Sequence, residues 1–300
     1  LRVYRLPVNR DEVVAVARHF RAQRCCILSG AGISTESGIP DYRGPERRGK
    51  PATPIKYAEF LRNPAARQRY WARSTIGWPQ VARSRPNTGH GFVADLESAA
   101  MMSGLITQNV DGLHGAAGNR SAVELHGNLS RVVCLDCGST EQRSSVQERV
   151  LILNPDWMRY AGDVAPDGDV HLPEQITRRF AVPACLKCGG VLKPDVVFFG
   201  ESVPRSRVDA AFDFLSKADV LLVLGSSLTV YSGFRFADRA VKDGKPLIII
   251  NDGPTRADGI ATMKVEARLG EMLDELRGEL GLRDSPLELS QEDSNPHRRS

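Results

Sequence analysis

Aromatic residues make up only 6% of the 300-residue sequence, and no apolar run approaches the roughly 20 residues that a membrane-spanning helix needs. No charge of one sign dominates. The 40 Lys and Arg against 36 Asp and Glu leave a formal net charge of +4, with arginines scattered rather than massed. That argues against a dedicated nucleic-acid surface. No internal repeat and no leader are visible, and the sequence opens on Leu1 rather than Met. What is left, 41% hydrophobic and 25% charged, suits an ordinary globular protein. The length fits one large domain with an insertion, or two domains sharing a cleft.

Cysteine is scarce too, yet four of the six fall in C-x-x-C pairs: Cys134 with Cys137, and Cys185 with Cys188. Each pair ends in glycine, as "CLDCG" and "CLKCGG", and glycine lets backbone N–H groups turn towards thiolates. The 47 residues between the pairs exceed ordinary zinc-ribbon spacing. Two disulfides are the competing reading, disfavoured without a secretory signal. Four thiolates close a coordination shell, so the expected zinc is structural. Cys25 and Cys26 read as small buried apolar residues of a first strand.

"NRDEVVAVARHFRAQR" has helical apolar spacing, with acids early and bases late. "CCILS", "LITQN", "ADVLLVLG" and "KPLIIIN" read as strands, the last two as continuous runs buried on both faces of a parallel sheet. "GHGFVADLESAA" and "SGFRFADRAVKDG" read as helices between them, the second ending at Gly244. The alternation predicts an α/β fold, a doubly wound Rossmann-like parallel sheet with a smaller zinc-binding and helical domain inserted. Residues 1–40, 88–127 and 193–280 are assigned to the sheet domain. Residues 41–87 form a helical module of short helices over the cleft, and 128–192 the zinc module. In the latter, "AGDVAPDGDVHLP" lacks EF-hand spacing at Asp163, Asp167 and Asp169 and reads as a solvated loop. Residues 281–300 are expected to be a disordered tail.

Four polar stretches end strands: "GAGIS", "TQNVDGLH", "GSSL" and "INDG". In an open α/β sheet that edge binds ligands. Gly30 and Gly32 are expected to let backbone N–H groups approach a pyrophosphate, with Ser226, Ser227 and Asn251 reaching the rest of a dinucleotide. "SGAGISTESGIPDYRG" nonetheless breaks the usual fingerprint. Thr35 stands where a third glycine belongs, and the ribose-binding acid about 20 residues on is missing. A plain dehydrogenase is therefore disfavoured. Asn109 and Asp111 suit a carboxamide. Among the histidines, His19, His171 and His297 read as structural or idle, and His90 and His114 stay open between core, capping and function. His126 of "VELHG" sits where the two domains should meet.

In order, "GAGISTESGIPDYR", "TQNVDGLH", "ELHG", "CLDC…CLKC", "KPDVVFFGE", "GSSL" and "IIIN" resemble the motif set of the sirtuins, NAD-consuming protein-lysine deacylases, from about Val13 to Leu280. "STESGIPDYR" and "QRYWARSTIGWP" resemble the class II branch, which includes an animal mitochondrial member. Tyr42 and Ser226 depart from the commoner Phe and Thr. The resemblance implies NAD held by Gly30, Ala31, Gly32, Ser34, Ile39, Asp41, Arg43, Gln108, Asn109, Val110, Asp111, Gly225, Ser226, Ser227, Asn251, Asp252 and Leu269. It implies catalysis by His126, Asn109 and Asp111, with His126 as general base on a ribose hydroxyl. Products are nicotinamide, deacylated lysine and O-acyl-ADP-ribose. An acylated lysine of a protein substrate would enter along Val197, Phe198, Phe199, Gly200 and Glu201, its peptide pairing by strand addition. A mono-ADP-ribosyltransferase on the same NAD site is the alternative, and a non-catalytic zinc-containing binding module comes third. The compartment implied is cytoplasmic for a bacterial chain and the mitochondrial matrix for a eukaryotic one.

Tyr70 and Arg73 share a helix face as Y-x-x-R. In sirtuins that prefer acidic acyl groups a similar pair reads the distal carboxylate, so acidic or longer acyl groups are expected here. The plainer reading packs Tyr70 and pairs Arg73 with a neighbouring acid.

Overall fold

The computed structural model describes residues 8–20, 24–42, 54–160, 168–170 and 172–282. Arg43, Asp163, Asp167, His171, His297 and the expected tail beyond residue 282 lie outside the described residues.

In chain order, helix α1 (Arg10–Arg18) leads to strand β1 (Cys25–Ser29), helices α2 (Tyr57–Arg62), α3 (Pro64–Arg83) and α4 (Thr88–Ser98), and strand β2 (Met102–Thr107). The short helix α5 (Leu113–Ala116) and β3 (Ala122–Glu124) follow. The middle of the chain holds β4 (Gly127–Cys134), β5 (Thr140–Gln142), α6 (Arg143–Leu153), α7 (Glu174–Thr177) and β6 (Leu192–Val196). The last third alternates through α8 (Arg205–Ser216), β7 (Val220–Leu224), α9 (Tyr231–Lys242), β8 (Leu247–Ile250), β9 (Met263–Val265) and α10 (Leu269–Leu280).

Strands in which every residue is apolar have no face to give to water, so they fold where both faces are covered. The large sheet does this with six strands in the order β3-β2-β1-β7-β8-β9, all paired in parallel. Side chains alternate between its faces. Cys25, Ile27, Leu222 and Ile248 pack with Val16 of α1, Phe92 of α4 and Met272 of α10. Cys26, Leu28, Val223 and Ile249 meet Leu215 of α8 and Phe236 of α9 on the other side. Both cysteines are fully buried, and burial pushes both thiols up. The chain runs outward from β1 in one direction and from β7 in the other. Their junction is the switch point at which such sheets open a crevice.

A second, antiparallel sheet in the order β5-β4-β6 carries the cysteine segment. Residues 193–196 pair with β4 and so go with this sheet. Phe60, Tyr70, Trp71 and Val81 from α2 and α3 share one core with Val132, Val146, Val150 and Phe180. The helical segment and the zinc segment are thus packed as one body.

The short helices expected across "AARQRYWARSTIGW" are instead one 20-residue helix, α3. Asn63 caps its start through Ala65 N, and Pro64 stands in the first turn. Pro79 lies inside it and lacks the N–H that would bond the Thr75 carbonyl. Gln147 of α6 supplies the missing donor, Nε2 to Thr75 O at 2.8 Å. The same helix brings in Arg143, 1% exposed, its guanidinium 5.2 Å from the Trp71 ring and 4.9 Å from the Trp78 ring. Burial lowers this guanidinium to about 10.

Candidate functional site

The loops after β1 and β7 meet backbone to backbone at the switch point. A Cβ on Gly30 would come 2.6 Å from the Ser226 Cβ, and one on Gly32 would come 2.8 Å from the Gly225 Cα. Gly225 itself has φ +61°, where a side chain is strained. Gly30 and Gly32 thus let the two loops meet. Their N–H groups are engaged between the loops, Gly30 N to Leu224 O at 3.0 Å and Gly32 N to Gly225 O at 2.8 Å. The missing Cβ atoms make that loop contact possible, and both glycines line the cavity that opens there.

Above that contact opens a cavity of about 1150 Å³. It is larger than an ordinary single-ligand pocket and has room for a dinucleotide and a second group together. One end holds a polar cluster. Asn109 Nδ2 donates to Gly30 O (3.1 Å) and Ser34 Oγ (3.0 Å), and Ser34 Oγ donates to Asp111 Oδ2 at 2.7 Å. Leu113 N holds the other Asp111 oxygen at 2.9 Å. Burial raises the Asp111 carboxyl against these hydrogen bonds. Beneath the cluster, His114 Nε2 meets Ser29 Oγ (2.9 Å), and Ser29 Oγ donates to Thr107 Oγ1 (2.9 Å), which accepts from Asn109 N (3.1 Å). His90 stacks edge-on against His114 at 4.8 Å. Burial lowers His90 well below the ordinary imidazole value and His114 to about 4, so both rings are neutral supports of the floor.

His126 stands between β3 and β4, on the cavity wall. Its Nδ1 lies 3.0 Å from Gln108 O and its Nε2 2.8 Å from Ser232 Oγ. Burial lowers its pKa, the Gln108 carbonyl opposes this, and Arg235 and Arg207 add to the lowering. The next segment follows from its own bonds. Val197 N donates to His126 O (2.8 Å), and Phe198 N to Glu201 Oε2 (2.8 Å). Lys193, 4% exposed, pairs with Glu201 at 3.0 Å under the Phe198 ring. Glu201 therefore braces the turn. Phe199 O already accepts from Tyr57 N at 2.9 Å, and Lys56 bridges Phe199 in parallel. A peptide strand laid along 197–200 would share that edge with Lys56 and Tyr57.

The other expected cofactor and substrate residues line the same cavity, Ile39, Asp41, Gln108, Asn251 and Asp252 among them. Two described residues do not. Leu269 is in the core beneath Gly225. Arg73 sits behind the wall, its Nε bonded to Val170 O and 3.1 Å from Asp169 Oδ1. Tyr70 does reach the cavity, packed on Phe60 and Phe198. The sequence reading missed Ser232, Arg235 and Arg256, which also line it. Their signal was position alone: they lie just past "GSSL" and "INDG", on the ligand edge.

The four cysteine Sγ atoms lie within 4.8 Å of one another, with Cys134–Cys188 at 3.5 Å and Cys137–Cys185 at 3.9 Å. A tetrahedron of thiolates about 2.3 Å from zinc has edges of about 3.8 Å, so the set fits zinc and not bonded sulfur pairs. Gly138 (φ +70°) and Gly189 (φ +74°) close the knuckles as expected. All four ligand positions are filled by protein, which makes the centre structural.

The Sir2 family model matches residues 30–232. A relative named NAD-dependent protein deacetylase 1, from Streptomyces coelicolor, is 49% identical over 278 residues, 93% of this chain and 93% of its own length. A Homo sapiens relative named NAD-dependent protein lipoamidase sirtuin-4, mitochondrial, is 47% identical over 272 residues, 89% of this chain and 86% of its own. Among solved structures, one described as Sir2 with a p53 peptide and NAD+ superposes with a TM-score of 0.71 at 30% identity, over 92% of this chain and 100% of that one.

Proposed function

This chain belongs to the Sir2 family, the sirtuins, and on that premise we propose that it is an NAD-dependent protein-lysine deacylase of the class II branch. The observation that carries the reading is an imidazole, His126, set on the wall of a large cavity whose end holds the Asn109–Ser34–Asp111 cluster. NAD, as co-substrate, supplies a glycosidic bond to break and a ribose carbon to take the acyl oxygen. The products are nicotinamide, deacylated lysine and O-acyl-ADP-ribose.

Asn109 and Asp111 orient the leaving carboxamide, the first able to donate and accept, the second to accept. Ser34 locks both in place. Gln108, Ser226, Ser227, Asn251 and Asp252 hold the nucleotide along the loops after β2, β7 and β8. Ile39, Val110 and Phe198 keep water from the reacting carbon. His126 takes a proton from a ribose hydroxyl at Nε2, and its lowered pKa keeps it in the base form at neutral pH. Val197 to Gly200 lie along the entering peptide.

The acyl end is proposed to suit uncharged groups, long ones included, because the Arg73 charge is answered by Asp169. A panel of acyl-lysine peptides, incubated with and without NAD and read by mass spectrometry, tests the reading. Deacylated peptide should form only with NAD, with one nicotinamide released per acyl group lost. Absence of turnover across the panel would contradict it.

A further inference from the structure

The imidazole of His126 has two hydrogen-bond partners, and one of them fixes the chemistry of the other. The Gln108 carbonyl can only accept, so Nδ1 carries the proton. In the neutral ring Nε2 is then a bare lone pair, and the Ser232 hydroxyl at 2.8 Å must be its donor. We propose that Ser232 is a positioning residue for His126: it donates to the Nε2 lone pair, holds the ring in the Nδ1–H tautomer, and marks the place that a ribose hydroxyl takes over. This rests on the deacylase reading for its catalytic meaning.

A second observation ties the arrangement together. Ser232 lies in the first turn of α9, and its neighbour Gly233 lies against Gln108, where a Cβ would come 2.2 Å from Gln108 Oε1. The glycine therefore lets α9 press on the residue whose carbonyl holds Nδ1. Gln108 Nε2 is in turn fixed to Ser226 Oγ at 2.7 Å. One contact between α9 and Gln108 thus sets both partners of the imidazole.

The charged groups facing the ring set how readily it takes a second proton. Arg235 of α9 and Arg207 of α8 disfavour the imidazolium. Arg207 is itself paired with Asp195 at 2.9 Å, and Glu124 of β3 with Arg131 at 2.7 Å. Asp111, on the loop after β2, is held by Ser34 and Leu113. A donated hydroxyl favours the Nδ1–H tautomer within the neutral ring, because the other tautomer has no lone pair at Nε2 to offer it.

The test compares wild type with Ser232→Ala and Ser232→Thr. The His126 ring nitrogens are followed by NMR titration in the free enzyme, and kcat/KM is measured against pH. In the wild type the two ring 15N shifts of neutral His126 should show the wide splitting of the Nδ1–H tautomer, and in the alanine variant the splitting should narrow as the Nε2–H form gains population. On the high-pH plateau, where the ring is neutral, its kcat/KM should fall about three- to tenfold, the worth of one hydrogen bond. Threonine keeps the hydroxyl and should restore both. An unchanged 15N splitting of the neutral ring in the alanine variant overturns the proposal. The NMR arm needs no turnover, so a wild type inactive on acyl-lysine peptides would sink the deacylase reading and leave this one still decided by the splitting.

Discussion

The guanidinium of Arg73 and the carboxylate of Asp169 pair at 3.1 Å, both side chains largely buried, at 15% and 12% exposed. The arginine stands on the helix face that carries Tyr70 into the cavity, yet its charge is neutralised before it reaches the wall. The wild type should therefore turn over succinyl- or glutaryl-lysine no better than acetyl-lysine. Asp169→Asn removes the competing carboxylate and should raise the dicarboxylic-to-acetyl ratio of kcat/KM by about tenfold, the worth of one charge-assisted hydrogen bond. Arg73→Met should lower both substrates alike. A wild type that favours dicarboxylic groups would show that the pair opens on binding.

His126→Ala should keep the fold and lower deacylation by about 10² to 10⁴, the usual loss with a general base. In the wild type, burial and the nearby arginines lower the imidazole, so the acid limb of kcat/KM should lie below the ordinary histidine value near 6.5. A limb at or above that value, or near-normal turnover in the variant, contradicts the base assignment.

The buried pair His90 and His114 makes stability depend on pH. Unfolded, each imidazole binds a proton near 6.5, whereas folded His114 does so only near about 4. Between those values the unfolded chain holds more protons, so stability rises with pH and is lost as pH falls through that window. Denaturant midpoints measured from about pH 7 down to about pH 4.5 should fall steadily. His114→Gln should flatten the slope while lowering stability at neutral pH.

Replacing Cys134, Cys137, Cys185 or Cys188 by serine should release zinc and lower Tm by about 5 °C or more, roughly 2 kcal/mol for a chain of this size. Metal content and calorimetry check this together. A zinc-free variant with unchanged Tm would contradict the structural role.

Much of this was legible in the sequence because it depends on local pattern. Continuous apolar runs such as "LIII" announced buried parallel strands, the two C-x-x-C pairs announced the metal centre, and polar residues after the strands lay at the ligand edge. What stayed hidden depends on partners far along the chain. Residues 41–87 read as short helices, whereas α3 runs on through Pro79, where Gln147 of α6 meets the orphaned Thr75 carbonyl. Arg73 read either as a contact for acidic acyl groups or as the partner of an acid, and the acid it meets, Asp169, lies in a distant loop. Gly30 and Gly32 read as phosphate-approach glycines, and the loop contact they also make, Gly30 N to Leu224 O and Gly32 N to Gly225 O, depends on another strand. Lys193, buried under Phe198 and paired with Glu201, has no periodic signal at all.

The central claim is that the acyl group leaves lysine for ADP-ribose while protein stays unlabelled. The direct measurement incubates the enzyme with NAD labelled in its adenine and an acetyl-lysine protein or peptide, then follows the label and the acyl group by mass spectrometry. The account predicts label and acyl group together on one small molecule, O-acyl-ADP-ribose, in amounts equal to nicotinamide released. Label accumulating on protein, with the acyl group still on lysine, would contradict it and identify a mono-ADP-ribosyltransferase.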